Sequence, residues 1–232
     1  MCTVTYLPID EGFILTSNRD ESPWRNATPP EDQKVAGHDI TFPKDPLAGG
    51  TWFATDNKRF TLVLLNGGIV KHHQQPPYRR SRGLMVLDFF ETYQVESFVK
   101  SYDFRGIEPF TLVIIEQDAL TKVHELVWTE EALIHNKLDS QSPSIWSSST
   151  LYPESVREER RDWFKNWLQE HQSFNQEAII QFHKNGGKGD AWNDFIMNRN
   201  GIVQTISITS VMKNSKGFQA LYHEDLLNKK GA

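Results

Sequence analysis

The sequence predicts an α+β fold, a sandwich of two mostly antiparallel sheets with helices outside. Three observations carry this. Strand-like runs come in clusters separated by pairs of helices, and clustering without strict alternation argues against a doubly wound parallel sheet. Neighbouring runs are joined by polar turns, as in hairpins. No repeat, low-complexity tract or long linker divides the 232 residues, so a single domain over 1–232 is expected, long enough to bury a full core.

Taken in order, the segment from Cys2 to Leu7 alternates, and Phe13 to Ser17 is a second β-rich run after a turn at Asp10–Gly12. Together they read as a hairpin. The stretch from Pro29 to Pro46 is Pro-rich and polar with little periodicity, and reads as a long loop. Thr51–Thr55 and Thr61–Leu65 are the next strands. Ser81 to Tyr93 reads as a helix, apolar on most sides through Leu84, Met85, Leu87, Phe89 and Phe90. A shorter helix follows near Val95–Tyr102. Strands return at Phe110–Ile115, Lys122–Trp128, Ala132–His135 and Ser144–Ser148. The clearest helix runs from Pro153 to His171: Val156, Trp163, Phe164, Trp167 and Leu168 share one face at 3.6-residue spacing, and the other face is charged. A helix over Gln176–His183 ends at Gly186–Gly187, and strands at Ile202–Val211 and Gly217–Tyr222 close the chain.

Composition narrows the functions. Lys plus Arg number 25 against 30 Asp plus Glu, a net charge of −5, which argues against nucleic acid or an anionic membrane as a bulk electrostatic partner. A single Cys excludes an intramolecular disulfide framework and any multi-cysteine zinc site. No apolar run approaches the ~20 residues that span a bilayer, and no basic segment followed by an apolar stretch opens the chain. A cytoplasmic protein without membrane insertion is expected.

Cys2 is the most informative residue. Its small side chain is compatible with removal of Met1, which would expose nucleophile and base on one residue. An α-amine has a pKa of about 7.7–8.0, low enough to take the thiol proton near neutral pH, and the thiolate is the competent nucleophile. The alternative is a small buried hydrophobe near a terminus. Asn18-Arg19-Asp20-Glu21 follows the second predicted strand, and a hairpin returns it beside the start of the first. There Arg19 can hold a thiolate or a substrate carboxylate, and Asp20 can accept from an ammonium. A charged turn is the alternative.

Met1-Cys2-Thr3, Ser17-Asn18-Arg19-Asp20-Glu21, Gly49-Gly50-Thr51-Trp52 and Leu65-Asn66-Gly67 occur in that order. Their joint occurrence resembles the NRDE family, the transport and Golgi organisation proteins, densely up to Ser81-Arg82-Gly83 and more weakly beyond. That family in turn resembles N-terminal nucleophile hydrolases of the choloylglycine hydrolase and acyltransferase type, whose four-layer αββα sandwich agrees with the element order. The resemblance implies that Cys2 attacks an amide carbonyl, that Arg19 and Asp20 flank it, and that Asn66 donates to the oxyanion. Asn66-Gly67-Gly68 is also a strong turn signal by itself. The chain departs from the pattern at Ser147-Ser148-Ser149-Thr150, where Ser149 stands in for an expected Asn. A C-terminal Arg of the hydrolases has Arg199 as its candidate counterpart.

The segment Lys71-His72-His73-Gln74-Gln75-Pro76-Pro77-Tyr78-Arg79-Arg80-Ser81-Arg82 concentrates positive charge at a helix N-terminus. It reads either as a contact for a carboxylate or phosphate on a small-molecule ligand, through His72, His73 and Arg82, or as a solvated loop capped by Ser81. The histidines lack metal-ligand spacing, but one or two axial imidazoles suffice for haem iron, so haem is a candidate ligand although no cofactor is required. Gly186-Gly187-Lys188-Gly189-Asp190 follows a helix and lacks the Lys-Ser/Thr ending of a phosphate loop. Trp24 and Trp52 read as core, with an apolar pocket as the alternative. Two functions follow: an N-terminal-cysteine amidohydrolase or acyltransferase working through an S-acyl Cys2, or a non-catalytic carrier of haem or an acyl-CoA-like ligand. Either allows a homo-oligomer.

Overall fold

In the computed structural model, residues 3–171, 173–224 and 226 are described. Cys2 therefore lies outside the described residues. The chain divides into two compact units, Met1–Arg25 with Gln141–Ala232, and Asn26–Ser140. Each holds one antiparallel sheet and two helices, so the α+β class and the antiparallel pairing agree with the sequence.

In the first unit, β1 (Thr3–Ile9) and β2 (Gly12–Glu21) form the expected hairpin. The sheet has the order β10 (Ser144–Ser147), β1, β2, β12 (Val203–Asn214), β11 (Asn198–Arg199), and β13 (Gly217–Glu224) pairs with β12. The helices α3 (Glu154–Glu170) and α4 (Gln176–Asn185) cover one face. Strand alternation decides what meets them. Leu7 of β1 and Ile14 of β2 point into a core with Phe164 and Trp167 of α3, Ile179 and Phe182 of α4, and Phe195. The strand β2 is longer than expected and absorbs Asn18-Arg19-Asp20-Glu21, because the alternation begun at Phe13 continues through these polar residues. Only the buried partners described below make that tolerable.

In the second unit the sheet runs in sequence order through β3 (Glu31–Val35), β4 (His38–Phe42), β5 (Phe53–Thr55), β6 (Phe60–Asn66), β7 (Phe110–Gln117), β8 (Thr121–Trp128) and β9 (Leu133–Leu138). The helices α1 (Arg82–Thr92) and α2 (Val95–Ser101) are inserted between β6 and β7. The expected loop from Pro29 to Pro46 instead contains the β3–β4 hairpin, turning at Ala36 and Gly37 with both φ angles positive. Its periodicity is hidden because β3 is an exposed edge of charged residues. Ser81 caps α1, accepting from the Leu84 N–H at 3.2 Å. The core is a run of aromatic contacts, Phe60 to Phe89 to Phe98 to Phe104, which then meets Phe110 and Trp128, all with ring centroids 5.0–5.9 Å apart. Each such pair adds about 0.5–1.5 kcal/mol beyond burial.

Gly50 and Gly83 mark where the Gly49-Gly50-Thr51-Trp52 segment crosses the first turn of α1. The Thr51 N–H donates to the Gly83 carbonyl at 3.1 Å. A Cβ on Gly50 would lie 2.3 Å from the Gly83 carbonyl carbon, closer than backbone atoms permit. Gly50→Ala is expected to destabilise the protein by about 1–3 kcal/mol or more, read as a lowered denaturation midpoint.

Candidate active site

The residues singled out in the sequence divide between the two units. In the first, Thr3 is paired with Asn18 on one side and Ser147 on the other. Residues opposite one another point to one face, so Thr3, Asn18 and Asp20 face the helices, while Arg19 points to the reverse face.

Arg160 of α3 reaches this face and is fully buried. Its guanidinium donates to the Thr3 hydroxyl, to the Asn193 carbonyl from Nε (3.2 Å) and Nη2 (2.9 Å), and to the Asp194 carbonyl at 2.9 Å. It stacks over the Tyr152 ring at 3.7 Å. Among the described residues no carboxylate pairs with it. The sequence contained its signal: residue 160 falls in step with Val156, Trp163, Phe164 and Trp167, a charge on the face of α3 that turns inward.

Asp20 is buried, and two hydroxyls hold its carboxylate: Tyr152 donates to Oδ2 at 2.7 Å and Thr205 to Oδ1 at 2.6 Å. Asn18 is also buried, its amide shared between α4 and the chain beyond it. Its Nδ2 donates to the Phe195 carbonyl at 2.8 Å, which fixes Oδ1 as the acceptor facing His183 Nδ1 at 2.5 Å. His183 Nδ1 therefore carries the proton, and Nε2 accepts from the Thr5 hydroxyl at 2.8 Å. Burial, with Arg160 nearby, pushes the His183 pKa down to about 3, so the imidazole is neutral. Arg19, also buried, donates from Nη1 to the Arg25 carbonyl at 2.9 Å. Ser149 is buried just beyond β10. Arg199 is held by the Trp192 and Leu151 carbonyls, both at 3.1 Å.

In the second unit, Asn66 ends β6 opposite Phe110. The turn after it is forced: Gly67 has φ +87°, and its N–H donates to the Pro109 carbonyl at 2.9 Å. Arg82 donates to the same carbonyl at 3.0 Å, and its other terminus meets Glu108 at 3.0 Å. His72 Nε2 meets the second oxygen of Glu108, also at 3.0 Å. Arg80 pairs with Asp88, and Arg79 donates to the Arg105 carbonyl at 3.0 Å. Most of the cations in the basic segment are thus committed to anchoring it, while Lys71 and His73 are exposed. Trp52 is buried, as a core residue would be, and its carbonyl accepts from Leu64 N–H at 2.8 Å. Among the described residues no group of three or more His, Cys, Asp or Glu is arranged to hold a metal ion. No described helix is long and apolar enough to cross a membrane.

The family model for Transport and Golgi organisation 2 matches residues 1–215. The chain belongs to that family. The NRDE family to which the motifs pointed is the Transport and Golgi organisation 2 family under another name. No curated protein matches the sequence. Among solved structures, an N-acylethanolamine-hydrolyzing acid amidase ortholog from Caenorhabditis elegans superposes with a TM-score of 0.58 at 13% identity, covering 90% of this chain and 92% of that one. A variant of conjugated bile acid hydrolase from Clostridium perfringens gives 0.56 at 10% identity, covering 98% and 93%. Penicillin V acylase from Agrobacterium tumefaciens gives 0.50 at 9% identity, covering 97% and 86%. At these identities the likeness shows the fold alone. This member of the Transport and Golgi organisation 2 family has the N-terminal nucleophile hydrolase fold.

Two outcomes follow from this geometry. His183 has a folded pKa below its ordinary 6.5, and burial moves His124 and His135 in the same direction. The unfolded chain thus binds more protons, so stability is full above pH 6.5 and declines as pH falls toward the folded value. His183 alone contributes a slope of about 1.4 kcal/mol per pH unit in that window. Urea denaturation from pH 7 to pH 4 measures it, and His183→Gln should flatten the dependence. Arg160→Ala leaves the Asn193 and Asp194 carbonyls buried without their donor and should cost about 3–5 kcal/mol in the same assay.

Proposed function

We propose that the protein is a cytoplasmic N-terminal-cysteine amidohydrolase or acyltransferase that acts on a linear amide or thioester through an S-acyl Cys2 intermediate. One observation carries the reading: Thr3, which Cys2 directly precedes in the chain, is paired with Asn18 and clamped by the buried Arg160. A strand start held on both sides offers the fixed point of attachment that a nucleophile needs. The names of the fold neighbours supply the reaction class by analogy.

With Met1 removed, the α-amine takes the Cys2 thiol proton. The thiolate attacks the carbonyl carbon, and the Asn66 amide with backbone N–H groups holds the oxyanion. The C–N bond of an amide breaks as the ammonium returns its proton to the leaving amine. Water then attacks the S-acyl carbon, the C–S bond breaks, and acid and free thiol result; in acyl transfer an amine or alcohol replaces the water. Asp20, held by Tyr152 and Thr205, sets the negative field for the ammonium, and Arg19 favours the thiolate. Asn18 supports the strand end from within the core of its own unit. Lys71 and His73, exposed where their neighbours are paired, meet an anionic group on the ligand.

The second reading is a carrier of haem or an acyl-CoA-like ligand on this fold. Ser149, where an amide donor is expected, favours it by shrinking the oxyanion hole, and the exposed His73 offers an axial imidazole.

The test begins with the intact mass of the purified protein, which is expected to lack Met1. Incubation with a panel of N-acyl amides and thioesters should then give turnover and a trapped acyl adduct on Cys2. Cys2→Ala should abolish both, and Asn66→Ala should lower kcat by about 10²–10³. Retained Met1, or turnover undiminished in Cys2→Ala, defeats the enzyme reading. Saturable haem binding that Cys2→Ala leaves intact, with no product from any substrate, supports the carrier.

A further inference from the structure

We infer that Tyr152 and Arg199 are positioning residues for the Asp20 carboxylate, an assignment that rests on the proposed service of Asp20 to the Cys2 amine. Asp20 is 3% exposed, and a separate hydroxyl engages each of its oxygens: Tyr152 donates to Oδ2 at 2.7 Å and Thr205 to Oδ1 at 2.6 Å. Thr205 has one proton and two acceptors in reach, Asp20 and the Phe195 carbonyl at 3.0 Å. That carbonyl already accepts from Asn18 Nδ2 at 2.8 Å. A carboxylate is also the stronger acceptor, so the proton goes to Asp20. The Met197 N–H donates to the same hydroxyl at 2.9 Å and orients it. Thr205 is thereby fixed, and Tyr152 is the donor whose strength is left to be set.

Tyr152 is 1% exposed, and two guanidiniums lie over its ring, Arg160 at 3.7 Å and Arg199 at 5.2 Å from the centroid. A cation over a phenol ring draws electron density from the oxygen. The O–H becomes a better donor, and the negative form of the carboxylate beside it is favoured. Among the described residues neither guanidinium has a carboxylate within ion-pair distance, so neither charge is cancelled before it reaches the ring. Arg199 is aimed by carbonyls: its Nε donates to Trp192 and its Nη2 to Leu151, the residue before Tyr152, both at 3.1 Å. Asn193 joins the two cations, since its carbonyl accepts from Arg160 at 2.9 Å and its Oδ1 from Arg199 at 3.4 Å. Arg160 is fully buried, whereas Arg199 is half-buried and can be altered without opening the core. Its carbonyl contacts alone would fit a structural residue. An uncancelled charge over a ring whose hydroxyl holds a buried carboxylate assigns it to Asp20.

The test measures kcat and KM of the purified full chain on the panel of N-acyl amides, with thiol alkylation as a second readout. Cys2 is the one cysteine in the chain, so the rate at which iodoacetamide modifies the protein reports it alone at each pH. Tyr152→Phe keeps the ring and removes the donor. It should lower kcat by about tenfold to a hundredfold, the worth of a hydrogen bond to a charged group, with KM unchanged. Arg199→Met should lower kcat by about threefold to tenfold, and Arg199→Lys, which keeps the charge, should restore most of it. In the Tyr152→Phe background Arg199→Met should add nothing, because Arg199 acts through the hydroxyl. In Tyr152→Phe and in Arg199→Met the alkylation midpoint should move to higher pH, because a less neutralised Asp20 disfavours a second negative charge. Lost packing would not move it. A wild type without turnover whose midpoint these variants still move defeats the hydrolase reading and leaves the assignment standing. Turnover and a midpoint that respond to Asp20→Asn but not to Tyr152→Phe or Arg199→Met overturn the assignment and leave the reading standing. If Asp20→Asn also moves neither, the role of Asp20 falls and the assignment falls with it.

Discussion

The first unit is organised around the fully buried guanidinium of Arg160. Removing such a charge from water costs several kcal/mol, and the cost is offset by local acceptors: the Thr3 hydroxyl, the carbonyls of Asn193 and Asp194, and the face of the Tyr152 ring. The acceptors come from three separate parts of the chain. Helix α3, the beginning of β1, the segment before β11 and the turn between β10 and α3 must all be in place before the charge is satisfied. A group this expensive to leave unpaired converts four separate elements into one cooperative structure.

The polar residues of β2 extend that logic. Asn18 and Asp20 are carried to the helix-facing side of a strand whose earlier residues are apolar, and each is satisfied by groups distant in sequence. His183 and Phe195 hold Asn18, while Tyr152 and Thr205 hold Asp20. The neutral tautomer of His183 is part of the arrangement, since a charged ring would present a second proton to Thr5 and lie near Arg160. The gain is precision at the strand end. Residues locked by buried partners on both sides have little freedom.

The second unit treats its charges differently. Glu108 and the Pro109 carbonyl gather His72, Arg82 and the Gly67 N–H around the end of β6. The concentration of positive charge that stands out in an acidic protein is therefore mostly an internal matter, a set of ion pairs that shapes the turn after Asn66. Charge density in a sequence reports a potential ligand contact only when the opposite charges that the fold supplies are also counted. Fold and family are shown by the match over residues 1–215 and by structures at 9–13% identity, whereas chemistry has to be argued from the particular residues.

Much was determined by the sequence alone. The hairpin of β1 and β2, the apolar face of α3, the cap at Ser81 and the α+β class follow from periodicity and turn chemistry, which are local properties. The joint motifs around Cys2, Asn18-Arg19-Asp20-Glu21 and Gly49-Gly50-Thr51-Trp52 pointed to the family. What only the tertiary structure decided is where buried polar groups find their partners. The β3–β4 hairpin hid because an edge strand needs no apolar alternation. Asn18-Arg19-Asp20-Glu21 looked like a turn because His183, Tyr152 and Thr205, which let these residues remain in a strand, lie more than 130 residues away. Arg160 falls in step with the apolar face of α3, but its acceptors, the Thr3 hydroxyl and two backbone carbonyls, carry no signature in the sequence around it. Hydrogen-bond satisfaction across long separations is set by topology, and no pattern of neighbouring residues encodes it.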